Sequence, residues 1–155
     1  MKKTLGIAIV AFLTGCTSQN YSDVSDSQAV IDNLKVSEVG LPRTEKHQLH
    51  VKFDYSIKNY KALDGLYTCS VLFATGKDEW VTQTKESAPC QIDSKSGSVS
   101  MKWTTPLSTS AGYSNKVLKK MQLPLKYQVA IHQKKTKSRN TVIGMSEPLY
   151  LAPKR

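Results

Sequence analysis

Three cysteines, Cys16, Cys69 and Cys90, and three histidines, His47, His50 and His132, are the thiols and imidazoles that could act as nucleophile, base or metal ligand near neutral pH. Their spacing limits that chemistry. His47 and His50 are three apart, which on a strand sends them to opposite faces and spoils them as paired ligands. His132 falls on the polar side of its segment, so all three read as exposed surface histidines. Cys69 and Cys90 lack the second pair of ligands that a zinc site requires. A reactive thiol needs a base or a helix N-terminus to lower its pKa, and Cys69 sits in an apolar strand-like run. Asp78-Glu79 is a carboxylate pair at a turn, where solvated charge is the usual role. Neither a Gly-x-Ser-x-Gly elbow, a His-Glu-x-x-His pair nor a phosphate-cradling glycine loop occurs in the sequence. The expectation is a non-catalytic protein with no metal and no cofactor.

The elements that must hold these residues are strands. Leu49, Val51, Phe53, Tyr55 and Ile57 alternate with His50, Lys52, Asp54, Ser56 and Lys58, a period of two that fits a half-buried strand and no helix face. Asp64-Gly65 signals a turn before Leu66 to Phe73, a second β-rich run. Trp80 to Thr84 is a short, weaker strand, and Val99, Met101 and Trp103 alternate with Ser and Lys after the Ser96-Gly97 break. Leu123, Leu125, Tyr127, Val129 and Ile131 alternate again, with Pro124 suited to an edge or entry position because proline cannot donate to a ladder. A basic turn from Lys134 to Asn140 leads to closing strands at Thr141 to Met145 and Leu149 to Leu151.

With Leu34 to Val39 as the first, about seven strands result, which predicts an all-β, antiparallel β-sandwich, immunoglobulin-like in architecture. One short segment, Asn115 to Met121, gathers Val117, Leu118 and Met121 on one face; at barely two turns it is either a helix or a loop. The chain has 155 residues and 39% hydrophobic content, enough for a single core.

The N-terminus is an address. Met1-Lys2-Lys3 is a positive start, Leu5 to Leu13 an uncharged apolar run, and Thr14-Gly15-Cys16 a small-residue close. The run is about half the ~20 residues a helix needs to span a bilayer. Leu13-Thr14-Gly15-Cys16 resembles the lipobox of bacterial lipoproteins. That resemblance implies cleavage before Cys16, which becomes the first mature residue, diacylglycerylated on sulfur and acylated on nitrogen. With ~0.8 kcal/mol per buried methylene, two or three chains make such attachment effectively permanent. Thr17, where similar lipoproteins held at the inner membrane have Asp, implies sorting to the outer membrane, on its periplasmic face.

Residues 1–15 are thus the expected signal peptide and 16–33 the lipidated cysteine with a polar, Ser- and Asp-rich flexible tether, whose root-mean-square reach is on the order of 20 to 25 Å. The folded domain is expected to cover 34–155. In an oxidising periplasm Cys69 and Cys90 pair by default, which should stabilise the fold by on the order of 3 kcal/mol, and lipidation of Cys16 removes the odd thiol. A bridge so local is not the inter-sheet disulfide of antibody domains.

Charge is the remaining signal. Without Lys2 and Lys3 the count falls from 22 bases to 20 against 12 acids, a formal +8, and after residue 100 a single acid, Glu147, stands among the bases. Lys116, Lys119 and Lys120 form one cluster; Lys134, Lys135, Lys137 and Arg139 form a second, on an expected hairpin tip. Such a surface favours anionic partners and speeds their encounter, and it argues against an inhibitor of lysozyme, itself basic. Tyr113 and Tyr127 are not interleaved with the lysines as stacking platforms, so nucleic acid is not the expected partner.

Two functions follow as expectations. In the first, the lipid-anchored sandwich docks onto another protein as an accessory or assembly subunit of an envelope system, such as a secretion, pilus or flagellar machine. Its architecture, but no motif residue, is similar to the sandwich lipoprotein of type VI secretion complexes. In the alternative, the basic C-terminal third binds an anionic ligand: lipid A, anionic phospholipid, a wall polymer or DNA.

Overall fold

A computed structural model describes residues 28–75, 79–81, 90–121, 123–136 and 139–151. Its strands are β1 (Ala29–Val39), β2 (Gln48–Ile57), β3 (Tyr67–Thr75), β4 (Glu79–Val81), β5 (Ser96–Thr104), β6 (Leu125–Thr136), β7 (Arg139–Met145) and β8 (Leu149–Leu151). They form two antiparallel sheets, one ordered β1-β2-β5 and one ordered β4-β3-β6-β7 with β8 beside β6. The pairs β2 with β5 and β3 with β6 occupy the places of strands B with E and C with F in an immunoglobulin-like sandwich, with β4 in the place of C′.

The alternating runs explain the layering. Leu49, Val51, Phe53, Tyr55 and Ile57 of β2 are all buried and meet Cys69, Val71 and Phe73 of β3 and Leu125, Tyr127, Val129 and Ile131 of β6 in one cluster. Each large apolar side chain taken fully out of water contributes about 1.5–3 kcal/mol, so two facing rows of this length hold the sheets together without a helix layer. The short segment over Asn115 to Met121 is helical: α1 spans Asn115–Lys120, with the Ser114 hydroxyl accepting from the Val117 amide as its cap. Val117 packs against the core and Met121 is buried in it, which holds so short a helix in place.

Two boundaries differ from the sequence expectation. β1 opens at Ala29, not Leu34, so Ala29 to Asn33 belong to the folded domain and not to a tether. The reason is a bulge between Asp32 and Lys35, with Asn33 at a φ of 51°, which breaks the period of two where a strand would have been recognised. β6 likewise runs on to Thr136, so Lys134 and Lys135 are strand residues, Lys134 facing Asn140 of β7, and not loop residues of a wide basic turn. For the strand expected at Trp80 to Thr84, β4 covers Glu79–Val81, and 82–84 lie outside the described residues.

Gln28 and β1 close the sandwich at one corner. The Gln28 amide donates to the Ile143 carbonyl of β7 at 3.2 Å, and the Lys58 amide donates to the Gln28 carbonyl at 2.9 Å. One segment thereby joins the two sheets.

Candidate functional site

Cys69 lies on the core face of β3, and Cys90 in the segment that enters β5; the two form a disulfide with Cα atoms 5.4 Å apart. Two residues on, Ile92 makes an isolated antiparallel bridge with Tyr67, so the crosslink staples this segment alongside β3. Cys69 is 4% exposed and its sulfur rests 3.6 Å from Met101 Sδ, inside the core. The bridge is structural: it shortens the unfolded chain's freedom and offers no thiolate. Cys16, the expected lipidation site, lies outside the described residues, as does Lys137.

The basic residues do not form one surface. Lys116, Lys119 and Lys120 sit on α1, where Lys119 and Lys120 also suit the negative end of the helix dipole. This helix feeds the start of β6, whereas Lys134 and Lys135 lie near its far end. At about 3.3 Å per residue, roughly 30 Å of strand separates Leu125 from Lys134. Arg139 opens β7 at that far end. Lys134 and Lys135 border a 360 Å³ depression with Leu63, Asp64, Gly65 and Leu66, shaped where the Lys134 amide donates to the Leu66 carbonyl at 2.9 Å. Tyr127 is a core residue and Tyr113 packs against the core, so neither ring is offered for stacking beside the lysines.

The histidines differ most from expectation. His47 and His132 are buried, 0% and 4% exposed, and His50 alone is partly open on a sheet surface. His47 Nε2 lies 2.6 Å from Glu38 Oε1, and its Nδ1 is hydrogen-bonded with Thr105 Oγ1. A hydroxyl, an imidazole and a carboxylate in sequence resemble a hydrolytic relay. Thr105 is wholly enclosed, however, so this hydroxyl cannot meet a substrate; what the chain of bonds does is tie the end of β1, the entry to β2 and the exit from β5 together. The Thr105 amide donating to the His47 carbonyl adds a backbone bond to the same knot. Replacing Thr105 with valine keeps the shape and removes only the hydroxyl. A loss of about 1–2 kcal/mol is expected, read as a lower urea midpoint with an unchanged slope.

His132 sits on the other face of β6, hydrogen-bonded through Nε2 with the Ser70 hydroxyl of β3. Leu72, Ala130 and Val142 form a second small buried cluster on this side of the sheet. Burial pushes the His132 imidazole down to about 4, so it is neutral at physiological pH. Periodicity alone puts His132 on the polar side with Lys126 and Gln128; the alternation holds, but both faces of the strand's middle are covered. Asp78, of the expected carboxylate pair, lies outside the described residues, and Glu79 opens β4.

Among the described residues no group of three or more His, Cys, Asp or Glu is placed to hold a metal. No helix among them is long and apolar enough to cross a membrane. No protein-family profile, no characterised protein and no solved structure matches the chain.

Proposed function

We propose that this chain is a non-catalytic lipoprotein of the outer membrane, anchored through acylated Cys16 and facing the periplasm, whose β-sandwich docks onto another protein of an envelope system as an accessory or assembly subunit. The observation that carries the docking reading is the edge of β5. Nine residues, Ser96–Thr104, form the outer strand of the β1-β2-β5 sheet, with no proline and no acid in the run. An edge of this length presents backbone donors and acceptors to an incoming extended segment. The lipobox at Leu13 to Cys16 supports the location.

The test is affinity purification of the lipidated chain from solubilised envelopes, with a photo-crosslinking residue at Ser98 or, as control, at Lys58. A single envelope protein crosslinked from Ser98 and retained at 0.5 M salt supports the docking reading, whereas equal capture from both positions overturns it. Mass spectrometry of the purified product is expected to show diacylglyceryl and N-acyl groups on Cys16; an unmodified thiol there removes the anchor.

The 360 Å³ depression beside Lys134 and Lys135 favours a second reading, an anionic ligand bound through the basic C-terminal third. Changing Lys134, Lys135, Lys137 and Arg139 to serine separates the two. Loss of binding to anionic vesicles, mirrored by rising salt, supports the ligand; survival of the protein partner through both treatments supports docking.

A further inference from the structure

The outward face of the β1-β2-β5 sheet carries a second set of cations, which chain order conceals. Cross-strand register aligns Ser37, His50 and Lys102 in one row and Lys35, Lys52 and Ser100 in the next. Residues between them in sequence, Val51 and Met101, point into the core, so these two rows stand side by side on the open face. Directly opposed side chains on antiparallel strands have Cβ atoms about 5 Å apart, and like charges so placed repel. Lys35 and Lys52 are such a pair.

Two acids share this face beyond the bulge, Asp32 and Asp54, which stand opposite each other. Among the described residues no carboxylate lies within ion-pair distance of Lys35, Lys52 or Lys102. Asp54 attracts Lys52 and Lys35 without closing an ion pair with either, its carboxylate accepting from Asn33 Nδ2 at 2.8 Å and from the Ser98 hydroxyl. Those two hydrogen bonds hold the Asp54 carboxyl below its usual range, with the charges of Lys52 and Lys35 adding to the effect. All six side chains of the two rows offer hydrogen-bond donors, and none is an acid.

The backbone builds this arrangement. Between Asp32 and Lys35 the β1 strand advances three residues while β2 advances two, from Asp54 to Lys52. That one-residue bulge reverses the parity of β1, and without it Lys35 would point into the core. With it, Lys35, Ser37, His50, Lys52 and Ser100 line a depression of 210 Å³. Pockets for drug-sized ligands start at about 300 Å³, so this one suits a single small group.

We infer that this face is a binding site for a phosphate group, held between Lys35 and Lys52 with His50, Ser37 and Ser100 as further donors and Lys102 at the rim. A phosphate brings several acceptor oxygens and a charge that relieves the lysine repulsion. The site lies on the opposite sheet from Lys134 and Lys135 and does not depend on the anchor; it shares β5 with the docking edge through Ser100 and Lys102, whereas Lys35, Ser37, His50 and Lys52 stand on β1 and β2. The phosphate is either free or part of a lipid headgroup.

The experiment is heteronuclear NMR on the full chain in nonionic detergent, titrated with inorganic phosphate and, separately, with phosphatidylglycerol added to the micelles. Saturable shifts at the amides of Lys35, Ser37, His50, Lys52 and Ser100 are expected, weakened roughly tenfold or more by Lys52→Gln. Saturation by inorganic phosphate at millimolar concentration assigns a free anion, and a response to phosphatidylglycerol alone assigns a headgroup. No shift from either probe, or shifts unchanged in Lys52→Gln, overturns the site. Because the substitution removes both a like-charge contact with Lys35 and an attraction to Asp54, its melting temperature is expected to stay close to the parent's, which separates lost binding from unfolding.

Discussion

Replacing Gly144 with alanine is expected to destabilise the domain by about 3 kcal/mol or more, at the upper end of what overpacking does. A Cβ at this β7 position would run into the Ala29 carbonyl oxygen and stand 2.9 Å from the Ala29 Cβ, contacts no real side chain makes. Backbone, not a flexible side-chain end, is in the way. Relief requires β1 and β7 to separate where the Gln28 amide meets the Ile143 carbonyl, the seam that joins the sheets. Gly65→Ala is the control: its φ of +64° strains an alanine, but nothing lies within 4 Å, so about 1 kcal/mol is expected. Gly40, with a φ of +82° and the Lys46 carbonyl oxygen where a side chain would begin, combines both penalties. Urea denaturation of the three variants should rank Gly65→Ala mildest. Equal losses for Gly65→Ala and Gly144→Ala would show that the seam yields.

Acid should destabilise the protein through His132. In the unfolded chain this imidazole titrates near 6.5, and in the folded one near 4. Above pH 6.5 both states are neutral there, and the site gives no pH dependence. As pH falls from 6.5 towards 4 the unfolded chain binds a proton that the buried ring refuses, so stability drops across that window and levels off below it. The full loss is about 3 kcal/mol. His132→Gln cannot take up the proton, so its stability should change less by that amount between pH 7.5 and 4. Denaturant titrations of both proteins at four pH values measure the difference. Parallel curves would sink the prediction.

Much of the fold was legible because burial here is mostly one-sided and local. β2 shows it best: every inward residue from Leu49 to Ile57 is apolar and every outward one polar, so the strand, its core face and its partner face follow from the period alone. The Cys69–Cys90 bridge follows from an equally simple fact, a pair of thiols, whereas the apolar face over Asn115 to Met121 left helix and loop open until the core packing of Val117 and Met121 decided for the helix. Where a strand departs from strict alternation the reading weakened. β1 was entered five residues late because its bulge shifts Lys35 to the outer face. The burial of His47 leaves no local signal, because its partners Glu38 and Thr105 are far enough along the chain that no spacing rule joins them.

The site followed the same division. Chain order put the positive charge in the last third; the fold parts Lys116, Lys119 and Lys120 from Lys134 and Lys135 along the length of β6, and gathers Lys35, Lys52 and Lys102 on one sheet. Alternation is a property of neighbours in sequence, so the strands and the sandwich class were set by the residues themselves. Which cations stand together, which histidines lose water and which glycines admit no side chain were decided by register and by sheet-on-sheet contact. Those depend on pairings between residues tens of positions apart, which no local pattern encodes.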